Sequence, residues 1–389
     1  MAGLPVLWLY GTSGAGKTTV AWELFTRLAG EGTAVGYVDI DQLGMCYGPP
    51  TPEHWAPEPA GDHGRHRLQA RTLNAVLAGF RDAGARGVIV PGVTDPERGV
   101  ETGLVPNGVV TSCRLDVGEA ELARRLRARN SPHDDVAQAV AHAETLDRAV
   151  PRAVCVDTTG LSVAEVADRV SARTGWTPAG IPVTVPSPGR PAPPGEILWI
   201  SGPAAIGKST VGWLVYHQLR QAGTHAAFVD LDQIGFHRPA RAADPGNHRL
   251  KAANLAAVWR EFRASGAECL VAVGPLERPE GLEAYATALP ATTITLCRLT
   301  ASRAVLAERV TRRGHGLKPA NGMAGDELIG QPAARLAEVV DRSARILDRL
   351  TGVGDLDVDT DRRPPEEIAT EIRRKWISAT ARGWGTLAR

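Results

Sequence analysis

An eight-residue run, Gly11-Thr12-Ser13-Gly14-Ala15-Gly16-Lys17-Thr18, fits the pattern G-x-x-x-x-G-K-[ST] and recurs as Gly202-Pro203-Ala204-Ala205-Ile206-Gly207-Lys208-Ser209. A chain carrying this pattern twice has to build the same local structure twice. The glycines let the backbone turn so that successive N–H groups face phosphate oxygens. The lysine reaches the β- and γ-phosphates, and the closing Thr or Ser hydroxyl ligates Mg²⁺. Context agrees, because each run follows an apolar segment (Pro5 to Tyr10; Ile197 to Ile200) and opens a helical pattern from Thr19 or Thr210. Gly11 through Thr19 and Gly202 through Thr210 are therefore the expected nucleotide-binding positions, with Thr18 and Ser209 on the metal.

Lysine usage supports this independently. The chain of 389 residues has five lysines, Lys17, Lys208, Lys251, Lys318 and Lys375, and nearly all other positive charge is arginine. A compact ammonium inside a ring of backbone amides is not replaceable by a planar guanidinium, and both loops keep it. The overall balance of 44 basic and 43 acidic residues gives no sign of a nucleic-acid or lipid surface. The odd, scattered set of five cysteines lacks C-x-x-C spacing; three lie in or beside expected strands and read as small buried hydrophobes, in a reducing compartment. With no basic segment before the first apolar run and no apolar span of about 18 residues, the chain is expected to be cytoplasmic, without membrane contact.

The repeat extends beyond the loops. Asp39-Ile40-Asp41-Gln42-Leu43-Gly44 is matched by Asp230-Leu231-Asp232-Gln233-Ile234-Gly235 at the offset that separates Lys17 from Lys208. Helices opening at His66-Arg67 and His248-Arg249 follow, then apolar strands, an arginine-rich helix, a last strand and a last helix in each half. Continuously apolar strands alternating with helices mean a parallel sheet covered on both faces. The expected fold is α/β, with two tandem phosphate-loop domains of about five parallel strands each, at residues 1–176 and 196–389. Between them, residues 177–195 hold seven prolines and read as a stiff spacer, so that each domain is expected to fold on its own.

Asp-x-Asp sits at the expected end of the second strand, where residues two apart share a side. One acid can hold a metal-bound water while the other takes a proton from an incoming hydroxyl. We assign Asp39 and Asp230 to the metal, and Asp41 and Asp232 to the base.

On these loops, the paired Asp-x-Asp motifs and the arginine helices, the chain resembles the phosphate-loop small-molecule kinases, a group including adenylylsulfate, shikimate and gluconate kinases and chloramphenicol phosphotransferase. The resemblance covers most of both halves. It implies that the arginine helices lead into a lid that closes on ATP, so that Arg125, Arg129, Arg309 and Arg313 stabilise the transferring phosphoryl group. It also implies that the loop after the last strand of each half lies beside the adenine. The helices beginning at His66 and His248 would form the acceptor-binding arm, with Arg67 and Arg249 on an anionic acceptor. Asp95 and Glu277 are further acids at the metal or acceptor. No [NT]-K-x-D run surrounds any lysine, which makes ATP with Mg²⁺ the expected nucleotide.

The leading expectation is thus an ATP-dependent kinase of a small-molecule hydroxyl with two nucleotide sites, monomeric as an internal pseudo-dimer or homodimeric. The alternatives are an ATP-binding sensor or regulatory ATPase without an acceptor, and a nucleic-acid end kinase, for which the charge balance gives no support. The segments after the two Asp-x-Asp motifs differ, Met45-Cys46-Tyr47-Gly48 against Phe236-His237-Arg238-Pro239. Different acceptors for the two halves, or a lost acceptor in one, are expected on that ground.

Overall fold

The computed structural model describes residues 3–49, 64–129, 136–150, 154–179, 191–316, 326 and 328–384. In the first half, strands β1 (Leu4–Tyr10), β2 (Val35–Tyr37), β3 (Cys46–Tyr47), β4 (Gly87–Pro91), β5 (Gly108–Asp116) and β6 (Cys155–Asp157) alternate with helices α1 (Lys17–Gly30), α2 (Gly64–Asp82), α3 (Glu119–Arg129), α4 (Val136–Ala149) and α5 (Val163–Thr174). The second half repeats the plan with β7 (Gly195–Ser201), β8 (Ala226–Asp230), β9 (Phe236–Arg238), β10 (Cys269–Val273), β11 (Thr292–Thr300) and β12 (Leu356–Asp359). Its helices are α6 (Lys208–Gln221), α7 (His248–Ala264), α8 (Leu282–Ala288), α9 (Arg303–Gly314), α10 (Ala333–Arg349) and α11 (Pro365–Trp384).

The central strands are buried on both faces, as their unbroken apolar runs require. Trp8, Leu9, Trp199 and Ile200 are all within a few per cent of fully buried. Both sheets place the strand leading to the phosphate loop in the middle, in the orders β6-β5-β1-β4-β2-β9 and β12-β11-β7-β10-β8-β3. Five strands of each are parallel, as expected.

The sixth strand of each sheet comes from the other half. β9 pairs antiparallel with β2, setting Val35 opposite Arg238 and Tyr37 opposite Phe236. β3 pairs antiparallel with β8, setting Cys46 opposite Ala227. Exposed sheet edges invite pairing with other chains, and here each half covers the other's edge. Aromatic contacts lock both crossings: the Phe236 ring lies 4.9 Å from Trp22, and the Arg220 guanidinium stands 5.3 Å over Tyr47.

Helices α2 and α7 pack along the same seam. Leu73, Val76 and Phe80 from α2 join Leu255, Trp259 and Phe262 from α7 in one buried cluster that draws on both sheets. The approach is close, because a Cβ on Gly79 would stand 2.2 Å from Asn254 Oδ1. The spacer reading made each half a closed unit. The structure adds exchanged strands and one shared cluster between the halves, while each half also keeps a buried cluster of its own.

The spacer itself is described only at its ends, since residues 180–190 lie outside the described residues. Pro178 packs on Gly87, and the Pro193 carbonyl accepts hydrogen bonds from Trp259 Nε1 at 3.1 Å and Thr292 Oγ1 at 3.0 Å. Gly195, placed in the spacer by composition, is the first residue of β7. Most of the proline-rich loop at 47–65 and the first lid segment, 130–133, also fall outside the described residues.

Candidate functional site

Each phosphate loop joins a central strand to a helix whose preceding glycine has left-handed geometry, Gly16 at φ 92° and Gly207 at φ 106°. Only glycine takes such angles without strain. Lys17 Nζ donates to the Thr12 carbonyl at 2.7 Å, and Lys208 Nζ to the Pro203 carbonyl at 2.8 Å. Each ammonium is thus parked on the rim of its own loop. Burial pushes the Lys17 pKa down to about 8, against the pull of Asp41 and Asp39, and burial lowers that of Lys208 as well.

The Asp-x-Asp pairs converge on these lysines by a route other than strand alternation. β2 stops at Tyr37, and Asp39 caps a 3-10 turn, Ile40–Leu43, with Oδ1 accepting the Asp41 N–H at 2.9 Å. In the second half Asp230 ends β8 and accepts the Asp232 N–H at 3.0 Å. The expectation of a shared strand face is corrected: an aspartate side chain bonding two residues ahead folds the chain into a turn, and the turn brings both acids to one place.

Asp39 and Asp230 point inward and differ chemically from their partners. Burial, reinforced by the neighbouring Asp41, pushes Asp39 up to about 7. The same causes, burial and then Asp232, raise Asp230 to about 6. Ser209 Oγ donates to Asp230 Oδ2 at 3.0 Å, so a loop hydroxyl and a carboxylate meet where a divalent ion would be held. Among the described residues no group of three or more His, Cys, Asp or Glu side chains could hold a metal alone. A cation at these acids must displace a proton at low pH. Mg²⁺-dependent nucleotide affinity is therefore expected to fall as pH drops through about 7 at the first site and about 6 at the second. Calorimetric titrations of Lys208→Ala and Lys17→Ala chains across pH 5.5 to 8 (about the range these groups titrate over) check each site separately.

Asp41 and Asp232 face outward, each with 37% of the side chain exposed, but their neighbours differ. Asp41 accepts from Arg65 Nη2 at 3.2 Å and from Gln69 Nε2 at 3.3 Å. Asp232 accepts from Lys251 Nζ at 2.7 Å. Burial would raise the Asp232 pKa, yet the Lys251 ammonium outweighs it and holds the carboxyl below its usual range. Gln69 and Lys251 occupy matching positions, three residues after His66 and His248. Lys251 was discernible in the sequence as one of only five lysines. Gln69 left no such signal.

The histidines diverge as well. His66 Nδ1 pairs with Gln69 Oε1 at 3.1 Å. His248 lies between Glu277 Oε2 at 2.6 Å and the Tyr285 hydroxyl at 3.3 Å. Asp95 is fully buried and caps the backbone N–H groups of Glu97 and Arg98. Arg67 and Arg249, assigned to an anionic acceptor, are both exposed on the first turns of α2 and α7. The side chains on those turns that reach the acids are Arg65, Gln69 and Lys251.

Arg125 and Arg309 do lie over the loops. Arg125 Nη1 donates to Thr158 Oγ1 at 3.0 Å and Nη2 to the Thr158 carbonyl at 2.9 Å, with the Gly14 carbonyl at 3.5 Å. Arg309 repeats this with Thr360 at 2.9 and 2.8 Å and the Ile206 carbonyl at 3.0 Å. Each therefore ties its phosphate loop to the loop after the last strand. Arg129 Nη2 donates to Ser13 Oγ at 3.5 Å, and Arg313 is bonded to Asp326 Oδ2 at 2.9 Å. Beside the first loop a cleft of about 360 Å³ opens between Thr12, Ser13, Pro96, Gln138, His142 and Thr145. Thr12 Oγ1 donates to the Ala139 carbonyl at 2.6 Å, fastening α4 to the loop.

No protein-family model matches the chain, and no curated protein matches it. Among solved structures it is similar to a sugar kinase from a Janibacter species, with 18% identity over 45% of this chain and 97% of that one and a TM-score of 0.33. A tunicamycin resistance protein from Deinococcus radiodurans gives 17% identity, 47% and 95% coverage and a TM-score of 0.32. An APS kinase from Mycobacterium tuberculosis, in complex with AMPPNP and APS, gives 20% identity, 47% and 96% coverage and a TM-score of 0.29. Each is matched by about half of this chain. Shikimate and gluconate kinases also match, so the likeness runs through small-molecule kinases. No helix among the described residues is long and apolar enough to cross a membrane.

Proposed function

We propose that the chain is an ATP-dependent phosphotransferase acting on the hydroxyl of a small molecule, with Mg²⁺ as cofactor and a nucleotide site in each half. The observation that carries this is the division of labour within each Asp-x-Asp pair. In the second half Asp230 is turned in beside the Ser209 hydroxyl, and in both halves the other acid stays partly exposed within the field of the phosphate lysine. An outward carboxylate can take a proton from an acceptor hydroxyl or from water, so dependence of turnover on an acceptor is what separates a kinase from an ATPase. Ser209 and Asp230 in the second half, and Thr18 and Asp39 in the first, would hold Mg²⁺, which would supply positive charge against that developing on the transferred group. Arg125 and Arg309 would link closure of the lid to the geometry of the phosphate loop. The cleft beside Thr12 and His142 leaves room for an acceptor in the first half, lined there mainly by uncharged polar groups. The test is ATP turnover with and without a panel of polyols, amino alcohols and hydroxy acids. Turnover indifferent to every acceptor favours the regulatory ATPase.

In the second half a specific contact favours the sensor reading. Lys251 holds Asp232 in an ion pair, and a carboxylate so held is a weaker base. Lys251 should therefore slow transfer at this site. Lys251→Gln, which copies Gln69, is expected to raise acceptor phosphorylation by a Lys17→Ala chain, because it removes the ammonium that holds the Asp232 carboxyl down. A fall in rate would mean that Lys251 binds the acceptor or the phosphoryl group. Single-turnover transfer to the best acceptor found in the panel is the measurement.

A further inference from the structure

The seam between the halves runs through the two Asp-x-Asp turns. Asp39 N–H donates to the Gln233 carbonyl at 3.3 Å, and Asp230 N–H donates to Gln42 Oε1 at 2.8 Å. The two contacts are not equivalent. The first uses a main-chain carbonyl that any residue at 233 would supply, whereas the second needs the side chain of Gln42.

The reason lies in the length of β3. Along the outer edge of β8, N–H groups two residues apart face the same neighbour. Phe228 N–H is met by the Met45 carbonyl at 2.9 Å, but β3 lies on the other side of Met45, at Cys46–Tyr47, and supplies no carbonyl opposite Asp230. Gln42, 4% exposed, fills that place with its amide oxygen. Asp230 is 6% exposed, so its N–H would otherwise be buried without an acceptor. From this anchored residue Oδ1 receives Asp232 N–H and Oδ2 receives Ser209 Oγ.

We propose that Gln42, a residue of the first half, is a positioning residue of the second nucleotide site, fixing Asp230 where it meets the Ser209 hydroxyl and the metal-bound phosphates. This rests on reading each phosphate loop as a nucleotide site. Nucleotide in the second site then depends on a side chain that stands next to Asp41 of the first.

The experiment uses the full chain carrying Lys17→Ala, so that only the second loop retains its lysine, and a non-hydrolysable ATP analogue titrated with and without Mg²⁺. Gln42→Met, similar in size but without the amide oxygen, is expected to weaken Mg²⁺-supported binding on the order of tenfold, the scale on which partners of metal ligands act. Binding without Mg²⁺ should stay within about twofold of the parent on the same reasoning. Gln42→Glu, which keeps an acceptor oxygen at the same reach, should recover most of the loss. In a Lys208→Ala chain the same Gln42→Met change should affect the first site less than it affects the second. Equal weakening at both sites, equal loss with and without Mg²⁺, or no change at the second site overturns the proposal. Failure of the parent chain to bind the analogue at all overturns the nucleotide-site reading, and this assignment with it.

Discussion

Asp41→Asn is expected to lower phosphoryl transfer at the first site by about 10²- to 10⁴-fold, the usual contribution of a positioned general base, while ATP affinity stays within a few-fold. The reasoning is geometric. Asp41 is the outward member of its pair, bonded only through side-chain donors, Arg65 and Gln69, that an Asn carbonyl can still satisfy. The turn depends on Asp39, whose carboxylate receives the Asp41 backbone N–H, and that contact is untouched by the substitution. Nucleotide affinity and fold should therefore survive while the rate does not, which is the pattern for an interaction made in the transition state. Asp39→Asn should behave oppositely, weakening Mg²⁺-supported nucleotide binding. Separate measurement of kcat and of analogue affinity in a Lys208→Ala chain distinguishes them, and an intact rate in Asp41→Asn would reject the assignment.

Separating the halves should be as damaging to the fold as Asp41→Asn is to the rate. Polypeptides of residues 1–179 and 191–389, produced singly, are each expected to lack a cooperative thermal transition. Produced together, they should form a one-to-one complex with a transition close to that of the intact chain. Alone, the first piece loses β9 from the edge of β2 and exposes the α2 face that buries Leu73, Val76 and Phe80. The second loses β3 and exposes Leu255, Trp259 and Phe262. Open edges and apolar faces of this kind drive association with whatever is available. Two soluble, independently melting halves would show that the shared core contributes little. Calorimetry and gel filtration of the three samples are sufficient.

The repeated loops, the parallel sheets and the acid pairs were legible because each is local. A phosphate loop is specified by eight consecutive residues, and a doubly covered strand by its own apolar run. The strand exchange was not legible. Cys46-Tyr47 and Phe236-His237-Arg238 are too short for a period to be read from them, and nothing in their composition says which sheet they join. The proline-rich spacer pointed the other way, since stiffness between domains is a property of the spacer and says nothing about the surfaces on either side. Arg67 and Arg249 show a similar limit. Next to a histidine that does face the site, they fall about 100° further around the helix, far enough to face water, while Gln69 and Lys251 come back round to it. The arginine helices fixed the positions of Arg125 and Arg309, yet the threonines they grip, Thr158 and Thr360, carry no motif of their own.

The α2–α7 contact also records how the two halves came to be different. A two-fold dimer of identical subunits uses every contact twice, once in each direction. Here at least one is used once only. Gly79 faces Asn254, whereas the residues at the matching positions are Glu261 and Thr72, and Glu261 reaches instead towards Arg71 at 3.9 Å. Two copies of the first half meeting along this face would set Gly79 against Thr72 and leave a hole where Asn254 belongs. Two copies of the second would press Glu261 onto Asn254 with no arginine to receive it. Joining the copies in one chain therefore released each from matching itself. The seam that results accepts one partner only, the half to which it is already tied.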